Sequence, residues 1–233
     1  MNDKVDGFVL QTSDYKDNDI LAQVLTKEYG IISFIAKSGR KISSKNHILP
    51  MCVYEIIFDY KDNKTIFSIH GQKLLNNYFQ DKDIEMISFK DVLVELTLKN
   101  RDIDTYDELF FVFDNLNKNN RYLLGSLYLS YLIREFGISP VVDGCVICDN
   151  KKIVSISDEH GGFLCINHLL GHEILSTDRL KKFRMIVKAR MENYDVIKDI
   201  EFDNVDFEIL LNFYTHNSDL KIRSYELYKH LNV

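Results

Sequence analysis

The chain has 233 residues, 45% of them apolar and 27% charged, proportions that suit a globular fold with a real core. They exclude a disordered or collagen-like chain. Lys and Arg number 29 against 35 Asp and Glu, a net −6, which argues against a generic nucleic-acid binder.

No targeting segment stands out. Near the N-terminus the one apolar run, Gly7–Leu10, is too short for a signal-peptide core. The longest uncharged apolar run, Tyr122–Ile133, falls short of the roughly 18–20 residues a bilayer span needs. A soluble, cytoplasmic protein is expected.

The first 80 residues read as β. Val5–Gln11 is a short apolar run. Ile20–Thr26 and Ile31–Lys37 flank a turn at Lys27–Gly30, where Gly30 supplies a position with positive φ. Val53–Tyr60 follows Pro50, and Thr65–His70 follows a turn at 61–63 and is closed by Gly71. Five short strands in so few residues predict a small closed or partly closed barrel, because closure leaves few open edges.

The period then changes. Ile84–Lys99, Tyr106–Leu116 and Leu123–Phe136 predict helices, with Gly137 and Pro140 ending the last. Residues 143–170 form a Gly-rich insert. Ser176 is a candidate N-cap for a helix to Met191 that buries Leu180, Phe183, Val187 and Met191. Asp206–His216 and Arg223–Leu231 complete the set. The fold class is therefore α+β, a β-barrel domain at 1–80 and an all-α domain at 81–233 interrupted by the insert.

Three of the four cysteines lie in that insert. Cys145-x2-Cys148 and Cys165-x2-His168 each form a tight turn that aims two ligands at one ion. Two such turns supply the tetrahedral soft donor set of a closed zinc site. His160 and His172 are rivals for the fourth place. Four protein ligands leave no open position, so the zinc is expected to be structural. Cys52, alone in an apolar stretch, reads as core.

A second feature is electrostatic. Residues 1–80 hold 10 Lys and Arg against 9 Asp and Glu, net +1, whereas 81–233 hold 19 against 26, net −7. From Tyr29 to Tyr54 there is no acid, and Lys37, Arg40, Lys41 and Lys45 lie there among small residues. This reads as a flexible positive loop for phosphates, with Phe34 and Tyr54 as aromatics to stack bases. Lys181, Lys182, Arg184, Lys188 and Arg190 make another basic run, read as a solvated helix face first and an auxiliary nucleic-acid contact second. Motifs of P-loop ATPases, dinucleotide folds and serine hydrolases are absent.

The order of several short runs resembles the bacterial RecO family of recombination mediators. They are Gly7–Leu10, Asp14-Tyr15, Asp19–Leu21, Leu25–Gly30, Ala36–Lys41 and Leu49-Pro50. Further on come Phe136–Pro140, Asp143–Cys148, Gly161–Cys165 and Leu220–Ser224. The resemblance implies an N-terminal OB-fold, a helical domain and a zinc site. Its implied role is not enzymatic: binding single- and double-stranded DNA and annealing complementary strands. With RecR, such a protein assists RecA loading on DNA coated by single-strand-binding protein, in the nucleoid-associated bacterial cytoplasm. It puts Lys37, Arg40 and Lys41 in the family's basic loop and Cys145, Cys148 and Cys165 on its cysteine positions. His168 departs, since Cys is commoner there. A zinc-stabilised protein–protein adaptor and an RNA-binding OB module are the alternatives.

Overall fold

A computed structural model describes residues 3–41, 44–80 and 83–231. Its first strand, β1 (Asp3–Tyr15), is long enough to serve two partners. One end pairs with β4 (Cys52–Phe58) and the other with β2 (Asp19–Thr26), which in turn pairs with β3 (Gly30–Ala36). A register shift between Val9 and Gln11 adds the local twist that lets one strand coil from one neighbour to the next.

The segment 66–77 then joins the two edges. Its first part, β5 (Ile66–Ser68), runs parallel to β3, and its second, β6 (Gly71–Asn77), antiparallel to β4. At the bend Ile69 N–H donates to Ile35 O (3.0 Å) and His70 N–H to Ile57 O (2.8 Å). The sheet thereby closes on itself, and Phe34, Phe58 and Phe67 fill it, with Phe34 edge-on to Phe58 at 5.0 Å. Each such buried ring stabilises by about 1.5–3 kcal/mol. The five expected strands are present. The seven residues of β6 lie beyond the expected end at Gly71, in a polar run that alternation does not mark.

The chain divides into two compact units, Met1–Asp107 with Leu227–Val233, and Glu108–Glu226. The first also holds α1 (Ile84–Lys99), capped by Asp83, whose carboxylate accepts from Glu85 N–H (3.0 Å). After α2 (Tyr106–Asn115), the second unit contains α3 (Arg121–Glu135). Gly137, at φ 81, ends α3: Ile138 N–H reaches back to Ile133 O (3.1 Å) and Gly137 N–H to Arg134 O (3.0 Å).

A two-stranded hairpin, β7 (Ile153–Ser157) and β8 (Gly162–Cys165), follows. Phe163 packs on Phe183 of α4 (Thr177–Lys188), and Phe183 on Phe213 of α6 (Asn204–Ser218), with a one-turn α5 (Tyr194–Ile197) between those helices. Ser176 caps α4 by accepting from Arg179 N–H (3.2 Å). That helix stops at Lys188 rather than 191, because Ala189 turns to an extended ψ of 153°. The last element is α7 (Arg223–Leu231). No helix among the described residues is long and apolar enough to cross a membrane.

Candidate nucleic-acid interface and metal centre

The register Ile20↔Ala36 puts the β1–β2 turn beside the point where the chain leaves β3. The basic segment therefore starts at one end of the barrel. Lys37, Arg40, Lys41 and Lys45 are all exposed. Arg40 lies 3.2 Å from the Asp14 carboxylate, and its N–H donates to Asn18 O (3.0 Å). Lys16, at φ 51 in the neighbouring turn between the exposed Asp14 and Asp17, adds a fifth exposed cation outside the acid-free stretch. Its ammonium lies 5.4 Å from the centroid of the half-buried Tyr15 ring. The signal was available only from pairing: Lys16 is far from 37–41 in sequence, and the β1–β2 turn is tied to that segment through Asn18 and Asp19.

The described part of this segment is built rather than loose. Ser38 N–H donates to Asp19 Oδ1 (2.8 Å), Asn46 Nδ2 to Lys37 O (3.0 Å), and Gln72 Nε2 to His47 O (2.6 Å). Ile48 is buried beneath it. Gly39 packs so tightly that a Cβ would come within 3.0 Å of Ala36 O. Residues 42 and 43 of the expected loop lie outside the described residues.

One sequence expectation fails here. Phe34 is 0% exposed and Tyr54 5%, so neither ring can stack a base. Both occupy inward positions of alternating strands, where aromatics fill the barrel. The basic run at 181–190 is a largely exposed face, as its first reading has it, and three of its five cations are ion-paired. Lys182 pairs with Asp206 (3.1 Å) and Asp178 (3.2 Å). Arg184 (2.7 Å) and Lys188 (2.5 Å) share Asp143, whose carboxyl they hold below its ordinary range.

In the second unit, Cys145, Cys148, Cys165 and His168 converge, with all four ligand atoms within 4.8 Å of one another. The first turn is held by Asp149 N–H donating to Cys145 O (2.8 Å) and Cys145 N–H to Asn150 O (2.9 Å). Val146 N–H, donating to Phe163 O (2.8 Å), docks it on β8. The second turn leaves β8 at Cys165 and enters a single 3₁₀ turn, Ile166–His168.

The geometry can be tested against an ion. Zinc–sulfur bonds of about 2.3 Å and zinc–nitrogen bonds of about 2.0–2.1 Å in a tetrahedron require S···S edges of about 3.8 Å and S···N edges of about 3.5 Å. Cys148 Sγ lies 3.7 Å from Cys165 Sγ, and His168 Nδ1 lies 3.5 Å from Cys145 Sγ and 3.4 Å from Cys165 Sγ. The donors fit a tetrahedral thiophilic ion. Burial pushes the Cys145 thiol up, but the N–H groups of Cys165, Ile147 and Cys148, with His168, outweigh it and hold it at about 6. His160 and His172 are not part of this quartet; they group with Glu159 instead.

Comparison with known proteins adds a set of similarities. The family model described as Recombination protein O N terminal matches residues 1–78. DNA repair protein RecO of Mesoplasma florum is 27% identical, over 96% of this chain and 88% of the relative. Those of Bacillus cytotoxicus (24%) and Exiguobacterium sibiricum (26%) each match over 72% of this chain and 71% of their own length. The chain is thus similar to RecO proteins in two ways, through an N-terminal module over residues 1–78 and through relatives of one name along most of its length.

Proposed function

We propose that this protein acts in DNA repair and recombination as a mediator that binds DNA through its barrel and anneals complementary strands. With 66–77 taken as one bent strand, the barrel has five strands, and we read it as an OB-fold. The observation that carries the proposal is the gathering of Lys16, Lys37, Arg40, Lys41 and Lys45 at one end of that barrel. Phosphates are met there by cations, Lys37, Lys41 and Lys45 having no ion pair with a described residue. The built backbone beneath them limits the ordering cost of binding.

In this reading residues 1–80 hold the DNA and residues 81–233, with their −7, are left to protein partners. RecR, single-strand-binding protein and, indirectly, RecA are the partners that the family resemblance implies. Cys145, Cys148, Cys165 and His168 would hold a structural zinc that cross-links the 143–170 insert, with no open position for chemistry. The protein works as a binder in the bacterial cytoplasm, near the nucleoid.

The test is annealing of complementary oligonucleotides, bare and coated with single-strand-binding protein, without any nucleotide cofactor. Annealing under those conditions is the expected result. Annealing that requires ATP, or binding of RNA oligonucleotides in preference to DNA, overturns the reading.

A further inference from the structure

A second group of metal-binding side chains stands apart from the cysteine quartet. Glu159 and His160 sit in the β7–β8 turn, and His172 comes from the chain after the second knuckle. Their ligand atoms lie within 4.8 Å of one another. Leu170 (φ 50) and Gly171 (φ 85), two successive left-handed residues, bend the chain just before His172. Both imidazoles are half-buried, with ring centroids 6.4 Å apart and planes 83° apart.

We propose that Glu159, His160 and His172 form a second, open metal site for a divalent transition ion of the zinc class. Two imidazoles and one carboxylate are a borderline donor set, suited to zinc, cobalt or nickel rather than to calcium. The support behind the ligands is also present. A metal on His160 Nε2 requires a proton on Nδ1, and Ser157 Oγ lies 3.0 Å from Nδ1 to accept it. Ser157 is itself held, because its Oγ also accepts from His160 N–H (3.1 Å). A cleft of about 190 Å³, lined by His172 with Asp158 and Glu173 among others, opens on the His172 side of the group.

Three ligands bind less tightly than the four of the cysteine quartet, so this site fills at higher free metal. The ion would pin the hairpin turn to the segment that follows the knuckles. The proposal does not depend on the DNA-binding reading.

Cobalt substitution separates the two sites. An ion on the cysteine quartet shows thiolate-to-cobalt charge transfer, and one on the second site does not. The full-length protein is titrated with cobalt, and bound metal per chain is compared with the charge-transfer amplitude. The expected result is a second ion per chain without that band, absent in H160A and in E159A, and bound 10–100-fold more weakly in S157A. Glu159 is exposed, so its variant tests the site without risk to folding. Uptake that stops with the thiolate-bound ion, or a second ion retained in the H160A/H172A double variant, overturns the proposal.

Discussion

Asp206 has 3% of its side chain exposed, and two cations hold its charge there. Arg179 reaches it at 2.7 Å and Lys182 at 3.1 Å. Arg179 also grips Asp203, the N-cap of α6, at 2.9 Å. Its guanidinium, together with the N–H of Asp206, outweighs partial burial and holds the Asp203 carboxyl down at about 2. A depressed carboxylate contributes stability that is fully present above its unfolded pKa of roughly 4 and is lost as pH falls through its folded value. The variant D203N should therefore melt lower than the wild type at neutral pH. The gap should shrink between about pH 4 and pH 2 and close below that, as a series of melting curves across that range would show. A gap independent of pH would assign the loss to packing rather than charge.

At the scale of the element, the hairpin that carries Cys165 depends on one close approach. Gly162 lies against Val141, which accepts from Phe163 N–H (2.9 Å) and donates its own N–H to Gly161 O (2.9 Å). A Cβ at position 162 would overlap the Val141 backbone. The variant G162A should lose about 1–3 kcal/mol by overpacking, and should loosen the metal quartet because β8 delivers Cys165. Thermal melting and zinc retention against a competing chelator are the two readouts. The quartet itself was legible in the sequence because its halves are local turns of four residues each. The histidine pair was not, since 160 and 172 meet only after the knuckle folds, and a linear reading makes both rivals of His168. The helices were legible from their apolar period. Strand β6 was not: Leu74 and Leu75 are 50% and 44% exposed, so no face alternates, and the strand exists because β4 presents an edge to pair.

For the whole molecule, the net −6 conceals an uneven charge distribution, and the proposed division of labour predicts independence. The five cations belong to the unit that begins the chain, and the cysteine quartet to the other. Four lysine and arginine contacts to a single strand give a log K against log salt slope of about −3, and R40A/K41A should flatten it by roughly 1–1.5. Arg40 already spends part of its charge on Asp14, so the loss should sit at the lower end of that range. The variant C148S should behave oppositely. It removes one of the four proposed zinc ligands and should lower the melting temperature and the zinc content from about one per chain, since a structural ion's binding energy is folding energy. Its salt slope on single-stranded DNA should match that of the wild type. A slope that flattens in C148S as much as in R40A/K41A would move the DNA contacts onto the zinc-bearing unit and away from the barrel.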